Sequence, residues 1–289
     1  SQGARGVRLD ANRLARRGFE RVNKLTKFKM IIDGRQMAEE IKKELKEKLA
    51  NKNLRLVIVS VGDNAVSAKY LARKQKFGEA VGVETIVHEF AGDVSEDELA
   101  RHLAKLADDR SVNGVVVQLP LPEQLDTEKL LTLIPSEKDI DALSPEAKVL
   151  PPVVAAIKEI LERNSILVEG KKAVVIGRGR LVGRPVALWL AQNGAEVEVV
   201  TLETKNPMAV IAQADLLVSG AGQPGLLKPE MLKEGVVLID AATSEVNNKL
   251  AGDAEAACAD KCSLFTPVPG GVGPLTVACL FKNLAALNQ

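Results

Sequence analysis

The chain has 289 residues, 46% of them hydrophobic and 27% charged, which is length and apolar content enough for two cores. Six Phe, one Trp, one Tyr and two His exclude, as first readings, a nucleic-acid platform of stacked rings and a multi-histidine metal centre. The net charge of +1 is unevenly spread, with residues 1–29 at +7 and the remainder at −6.

That basic segment comes first in chain order. A transit peptide, a nucleic-acid arm or a leader appended ahead of a start at Met30 would each carry such charge. The lack of apolar periodicity favours the appended leader, and residues 1–29 are expected to lie outside the fold. From residue 54 the chain alternates short β-branched runs with longer amphipathic stretches: LRLVIVSVG, a helix through about residue 81, ETIVHEF, a helix from near Ser95, then GVVVQLPLP. Strands alternating with helices of this length predict a parallel α/β sheet covered on both faces. Ser95 and Glu98 have the spacing of a capping box.

In the first of these helices Ser67, Tyr70 and Lys74 fall at i, i+3 and i+7 and share one face. A partly desolvated lysine there could carry protons near neutral pH, because burial lowers a lysine pKa. Lys69, Arg73, Lys74 and Lys76 would serve equally as a solvated basic face. Gln118 adds weight to the functional reading, since it ends a buried strand where α/β sheets place ligand contacts. Asp141 follows in EKDIDA. A lysine, a carboxylate, an aromatic ring and an amide that donates and accepts suit a heteroaromatic, amide-bearing substrate. Prolines 135, 145, 151 and 152 then mark a boundary.

A second α/β series begins near Lys171, with KAVVIG, a glycine-rich turn, VALWLAQNG, AEVEVV, ADLLVSG and GVVLIDA. Gly177, Gly179 and Gly183 between strand and helix let a backbone approach a pyrophosphate, although the third glycine comes one residue later than in G-x-G-x-x-G. Glu203 stands where the ribose discriminator of a dinucleotide site falls, and its carboxylate favours NAD. Arg178 and Arg180 in the turn can instead neutralise the 2′-phosphate of NADP, so both cofactors stay open. Cys258, Cys262 and Cys279 fit reduced thiols of a cytoplasmic protein, and no run is long enough to span a membrane. From Leu275 an apolar helical pattern closes the chain.

Taken together, these segments resemble the methylenetetrahydrofolate dehydrogenase/cyclohydrolase family over nearly all of 30–289. The likeness is carried by S-x-x-Y-x-x-x-K at 67–74, VVVQLPLP at 115–122, KDID at 138–141, the glycine turn at 177–185 and PVPGGVGPLT at 267–276. It implies two α/β domains, the second Rossmann-like, with a substrate cleft between them. The expected division is a folate-binding catalytic domain at 30–147, joined by the C-terminal helix 275–289, and a cofactor domain at 148–274. The implied activity is oxidation of 5,10-methylenetetrahydrofolate with NAD or NADP, then hydrolysis of the methenyl product to 10-formyltetrahydrofolate.

By this resemblance Lys74 is the acid/base group of hydrolysis, Gln118 tunes it, Tyr70 stacks on the folate ring and Asp141 binds the pterin end. Ser67, Pro269, Gly270 and Gly271 complete the substrate side. Gly177, Arg178, Gly179, Val182, Gly183, Glu203 and Gly222 form the cofactor side, no metal is expected, and the assembly is a homodimer without nucleic-acid or membrane partners. The chain departs from the family pattern at Ala142, where KDVDG has its last glycine, at 151–156, at Gly179, at Thr201-Leu202, and at 241–244, where Ala-Ala-Thr-Ser replaces an IDVGIN-like ending. These departures gather on the dehydrogenase side, which makes cyclohydrolase activity the safer expectation. Alternatives are a cyclohydrolase without useful cofactor binding, a non-catalytic protein with a nucleic-acid arm, and a shikimate-type dehydrogenase.

Overall fold

β-Branched side chains crowd a helix but fit a pleated strand, and the runs richest in them fold as strands. The structure is a computed structural model that describes residues 29–62, 65–247 and 249–289, with backbone alone at 65–67. The first half contains β1 (Met30–Ile31), α1 (Gly34–Leu49), β2 (Arg55–Val61), α2 (Ala65–Ala80), β3 (Glu84–Phe90), α3 (Glu96–Asp108), β4 (Gly114–Val117) and α4 (Thr127–Leu131). The second contains α5 (Pro152–Arg163), β5 (Lys172–Ile176), α6 (Gly183–Gln192), β6 (Glu196–Val200), α7 (Pro207–Ile211), β7 (Leu216–Ser219), β8 (Val236–Asp240), β9 (Ser244–Val246), β10 (Lys249–Ala251), β11 (Cys262–Thr266) and α8 (Val272–Leu287). The leader expected at 1–29 lies outside the described residues except for Lys29, whose ammonium pairs with Asp260 at 2.7 Å.

Local chemistry sets the helix starts. The Asp33 carboxylate accepts from Arg35 N and Gln36 N, both at 3.0 Å, and opens α1. Ser95 Oγ accepts from Glu98 N at 3.3 Å and opens α3, which is the cap half of the expected box. Along α1 the buried positions Ala38, Ile41, Leu45 and Leu49 repeat at helical spacing and form one apolar stripe.

Two parallel sheets result. The smaller has the order β3-β2-β4, and β2 is buried along nearly its whole length, as a strand covered on both faces must be. The larger has the order β1-β11-β8-β7-β5-β6, all parallel. In both sheets the chain reverses its direction of growth beside one strand, β2 in the smaller, flanked by β3 and β4, and β5 in the larger, flanked by β6 and β7. Such switch points open a crevice at the carboxyl ends of the strands.

Two elements cross the division expected at 147/148. Strand β1, placed by sequence in the first unit, pairs with β11 of the larger sheet, Met30 opposite Leu264 and Ile31 opposite Phe265. Helix α8 starts at Val272 and packs on α1, α2 and α5. It is apolar around most of its circumference, and accordingly Leu275, Ala278, Phe281 and Leu284 are fully buried. Asn283 on the same helix donates to Ile140 O at 2.9 Å and Leu150 O at 2.8 Å, tying down both ends of the proline-marked connection.

Candidate active site

Helix α2 places Tyr70 and Lys74 one turn apart, both facing a cavity of about 1000 Å³ between the two sheets. Lys74 is only 9% exposed, and its ammonium donates to Gln118 Oε1 at 3.1 Å. Gln118 follows β4 directly; its backbone N–H donates to Val59 O at 2.8 Å and its Nε2 to Leu119 O at 3.0 Å. The second bond spends the amide donor on the backbone, which leaves the amide oxygen facing Lys74. Asp141 also lines the cavity. Burial pushes Lys74 below the ordinary lysine range, with the Asp141 carboxylate opposing it. Burial pushes the Asp141 carboxyl up, Lys74 pulls it down, and the neighbouring Asp139 pushes it further up. Burial thus disfavours the charged form of each group, while their mutual attraction favours both charges.

The KDID segment also builds the floor beneath this pair. Lys138 Nζ donates to Leu106 O, Ala107 O and Asp109 O at 3.0, 2.7 and 2.8 Å, closing the carboxyl end of α3. Asp139, buried, accepts from Leu143 N at 3.2 Å and Ser144 N at 2.7 Å. Between them Ala142 adopts φ 53°, the left-handed turn that its glycine-bearing counterpart would take without strain.

Pro269, Gly270 and Gly271 line the cavity from the opposite side, and Gly34 N donates to Gly270 O at 2.8 Å. The Ser67 side chain lies outside the described residues. Of the cofactor-side set, Val182 and Gly222 reach the cavity. Gly177, Arg178, Gly179 and Gly183 form the adjoining turn between β5 and α6. A Cβ at Gly183 would stand 2.2 Å from Gly177 O, whereas one at Gly179 would meet nothing within 4 Å. The turn is thus tight at its base and open at its tip, with the amino end of α6 behind it. That shape, at the positive end of a helix dipole, fits a dinucleotide pyrophosphate. Arg180, read from sequence as a possible 2′-phosphate partner, instead pairs with Glu128 of α4 across the cleft. Glu203 is exposed past β6 and does not line the cavity; Arg178 is exposed too.

Sequence reasoning missed two sets of residues. Asp253 is fully buried and accepts from Ser219 Oγ at 2.5 Å, Ala221 N at 2.8 Å and Gln223 N at 2.6 Å, shaping the loop after β7. Asp240, at the end of β8, accepts from Ala242 N at 3.1 Å and Ala254 N at 2.8 Å, and burial pushes its carboxyl up to about 6. Both carry the signal of an aspartate next to a glycine or at a strand end, but apart from Ala242 N their partners are remote in sequence. Thr243 was noted only as a departure, and it donates no clue to its role until the fold sets it against Tyr70, whose hydroxyl donates to Thr243 Oγ1 at 3.1 Å. Among the described residues no group of three or more His, Cys, Asp or Glu is placed to hold a metal ion.

Residues 32–141 match the family model for the tetrahydrofolate dehydrogenase/cyclohydrolase catalytic domain, and residues 151–289 match that family's NAD(P)-binding domain. The bifunctional protein FolD of Lachnoclostridium phytofermentans is 37% identical over 270 residues, covering 88% of this chain and 96% of that protein. The crystal structure of the bifunctional FolD methylenetetrahydrofolate dehydrogenase/cyclohydrolase from Campylobacter jejuni gives a TM-score of 0.86 at 36% identity, over 89% of this chain and 98% of that one. The Trypanosoma brucei methylenetetrahydrofolate dehydrogenase-cyclohydrolase, complexed with NADP and an inhibitor, gives 0.85 at 33% identity, over 89% and 96%.

Proposed function

The chain belongs to the tetrahydrofolate dehydrogenase/cyclohydrolase family and is a bifunctional enzyme of folate chemistry; from that premise we propose that one cleft serves both steps, with Lys74 as the acid/base group of hydrolysis. The substrate is 5,10-methylenetetrahydrofolate, oxidised to the 5,10-methenyl form and then hydrolysed to 10-formyltetrahydrofolate. The observation that carries the assignment is the buried Lys74 ammonium held on Gln118 Oε1 with Asp141 beside it.

In the hydrolytic step the neutral Lys74 amine takes a proton from water as the oxygen bonds to the carbon bridging N5 and N10. The ammonium so formed returns a proton to N5 as the C–N5 bond breaks, and the hydroxyl proton of the adduct passes to solvent as its oxygen becomes the carbonyl, leaving the formyl group on N10. Gln118 fixes the direction of the Lys74 amine, and Asp141 accepts from the amino edge of the pterin. Tyr70 supplies an aromatic surface for the folate ring. NAD or NADP, when bound, accepts the hydride of the oxidative step. Gly177, Arg178, Gly179, Val182 and Gly183 would hold its pyrophosphate, Gly222 would flank it and Glu203 would reach its ribose. Here the protein's part is proximity and orientation.

Lys74→Ala is expected to lower methenyltetrahydrofolate hydrolysis by about 10²–10⁴-fold, the usual worth of a positioned acid/base group. In the unaltered enzyme the hydrolysis rate should rise with pH through a titration below the ordinary lysine value, because the working form is the amine. Hydrolysis unchanged by Lys74→Ala would sink the assignment. The hydrolase-only, nucleic-acid-arm and shikimate-type alternatives gain nothing from this cleft.

We also propose a cytoplasmic location and a homodimer associating through the NAD(P)-binding unit. The three described thiols are all free and buried, as a reducing compartment allows, and among the described residues no helix is long and apolar enough to cross a membrane. Leu188 and Leu202 leave apolar surface exposed on that unit. A monomer in sedimentation velocity at micromolar concentration would refute the dimer.

A further inference from the structure

Tyr70 is held from both halves of the molecule. Its hydroxyl bonds Thr243 Oγ1 at 3.1 Å across 173 positions of sequence, and the Arg73 guanidinium stands 5.5 Å from its ring centroid. The backbone carrying Thr243 is itself fixed on both sides. Ala242 N donates to Asp240 Oδ1 at 3.1 Å, and Ser244 Oγ donates to Gly222 O at 2.8 Å. Next to this hydroxyl pair, Lys69 Nζ meets Glu245 Oε2 at 2.8 Å, but both groups are partly exposed, so that ion pair contributes little. Tyr70 and Thr243 are both half-buried and both line the cavity. Thr243 occupies the place where the IDVGIN-like pattern has isoleucine, a side chain with no hydroxyl to offer.

We propose that Thr243 is a positioning residue for the folate ring, acting through Tyr70: it fixes the tyrosine ring before the substrate arrives. This inference rests on the reading of Tyr70 as the aromatic surface for the folate. A tyrosine free to rotate must be ordered when a ring stacks on it, and that cost falls on binding. A ring anchored at its hydroxyl has been ordered beforehand. The anchor lies on the NAD(P)-binding unit while the tyrosine lies on the catalytic unit, so the bond also ties substrate affinity to the placement of the two halves.

The test is methenyltetrahydrofolate hydrolysis measured without NAD or NADP, so that any disturbance of the cofactor side through Ser244 and Gly222 does not enter. Thr243→Val removes the hydroxyl at nearly constant shape. It is expected to raise KM by about 2- to 12-fold with kcat unchanged, the range that the net worth of one neutral hydrogen bond corresponds to. Thr243→Ser, which keeps a hydroxyl, should restore KM. Tyr70→Phe should raise KM by a similar factor, and the double variant should be no worse than either single one, because both delete the same bond. An unchanged KM in Thr243→Val, additive effects in the double variant, or no rescue by serine would each overturn the proposal. Tyr70→Ala separates it from the reading beneath. If Tyr70→Ala raises KM while Thr243→Val does nothing, only the role of Thr243 falls; if Tyr70→Ala leaves KM unchanged, the stacking reading falls as well.

Discussion

Ala142 sits in the left-handed region at φ 53°, immediately after Asp141. For an L-residue other than glycine that conformation costs about 1–2 kcal/mol. The two Asp139 carboxylate bonds to Leu143 N and Ser144 N hold the turn in spite of it. Ala142→Gly should relieve the strain but add about 0.4–1 kcal/mol of chain entropy to the unfolded state. The net expectation is a gain of about 0.5–1 kcal/mol in urea unfolding with hydrolysis unaffected; a loss of stability would mean that the turn is not strained. The same four-residue motif shows what a sequence discloses at this scale. That Asp141 would share a cavity with a lysine, an amide and a ring was legible from its place at the seam. Lys138 and Asp139 are charged as well, yet Lys138 is spent on carbonyls at the end of α3 that only the folded chain brings near, and Asp139 on the amides of Leu143 and Ser144 just downstream.

At the scale of elements, the strands were legible because β-branched runs have few other homes, and Gln118 was legible because it ends one of them. Strand β1 was not: two residues carry no period, and their strand partner is β11, some 230 positions away. The β9–β10 hairpin, which carries Glu245 and follows Thr243 directly, was hidden for a similar reason, being three residues to a strand. The glycine turn was legible as a turn between strand and helix, but its glycines are not equivalent. Gly183 presses on Gly177 O, and Gly179 faces open space. Gly183→Ala must therefore push α6 away from β5, raising the KM for NAD(P) by about tenfold or more, a loss of about 1.4 kcal/mol in binding. Gly179→Ser should leave that KM within about twofold, since nothing crowds the new Cβ. Methenyltetrahydrofolate hydrolysis serves as the internal control for both, and equal effects of the two substitutions would show that the turn does not work as its packing indicates.

At the scale of the whole molecule, the cleft is bridged by Tyr70 to Thr243 on one side and by Glu128 to Arg180 on the other, while α8 runs behind both units. The connection at 141–151 is thus not the only link between them. Asn283→Ala would withdraw a donor from the carbonyls of Ile140 and Leu150 at once. Each buried acceptor left unpaired costs about 1–3 kcal/mol. The variant should lower the unfolding midpoint accordingly and should also weaken hydrolysis through displaced Asp141. Full stability in Asn283→Ala would show that water or a neighbouring group takes over both carbonyls. From sequence the C-terminal helix was expected to join the first unit, but what made it indispensable, a side chain holding both ends of the linker, could not be read from apolar spacing.

Helix α8 and strand β11 carry a consequence for how the chain is made. A ribosome releases residues 34–131 first, yet the apolar faces of α1 and α2 wait for a cover at 272–287, and β1 waits for a neighbour at 262–266. The nascent first half can therefore assemble its small sheet but must keep part of its greasy surface unsealed until synthesis is nearly over. Premature termination anywhere in the second half would leave that surface open, the condition under which unfinished chains stick to one another or to chaperones.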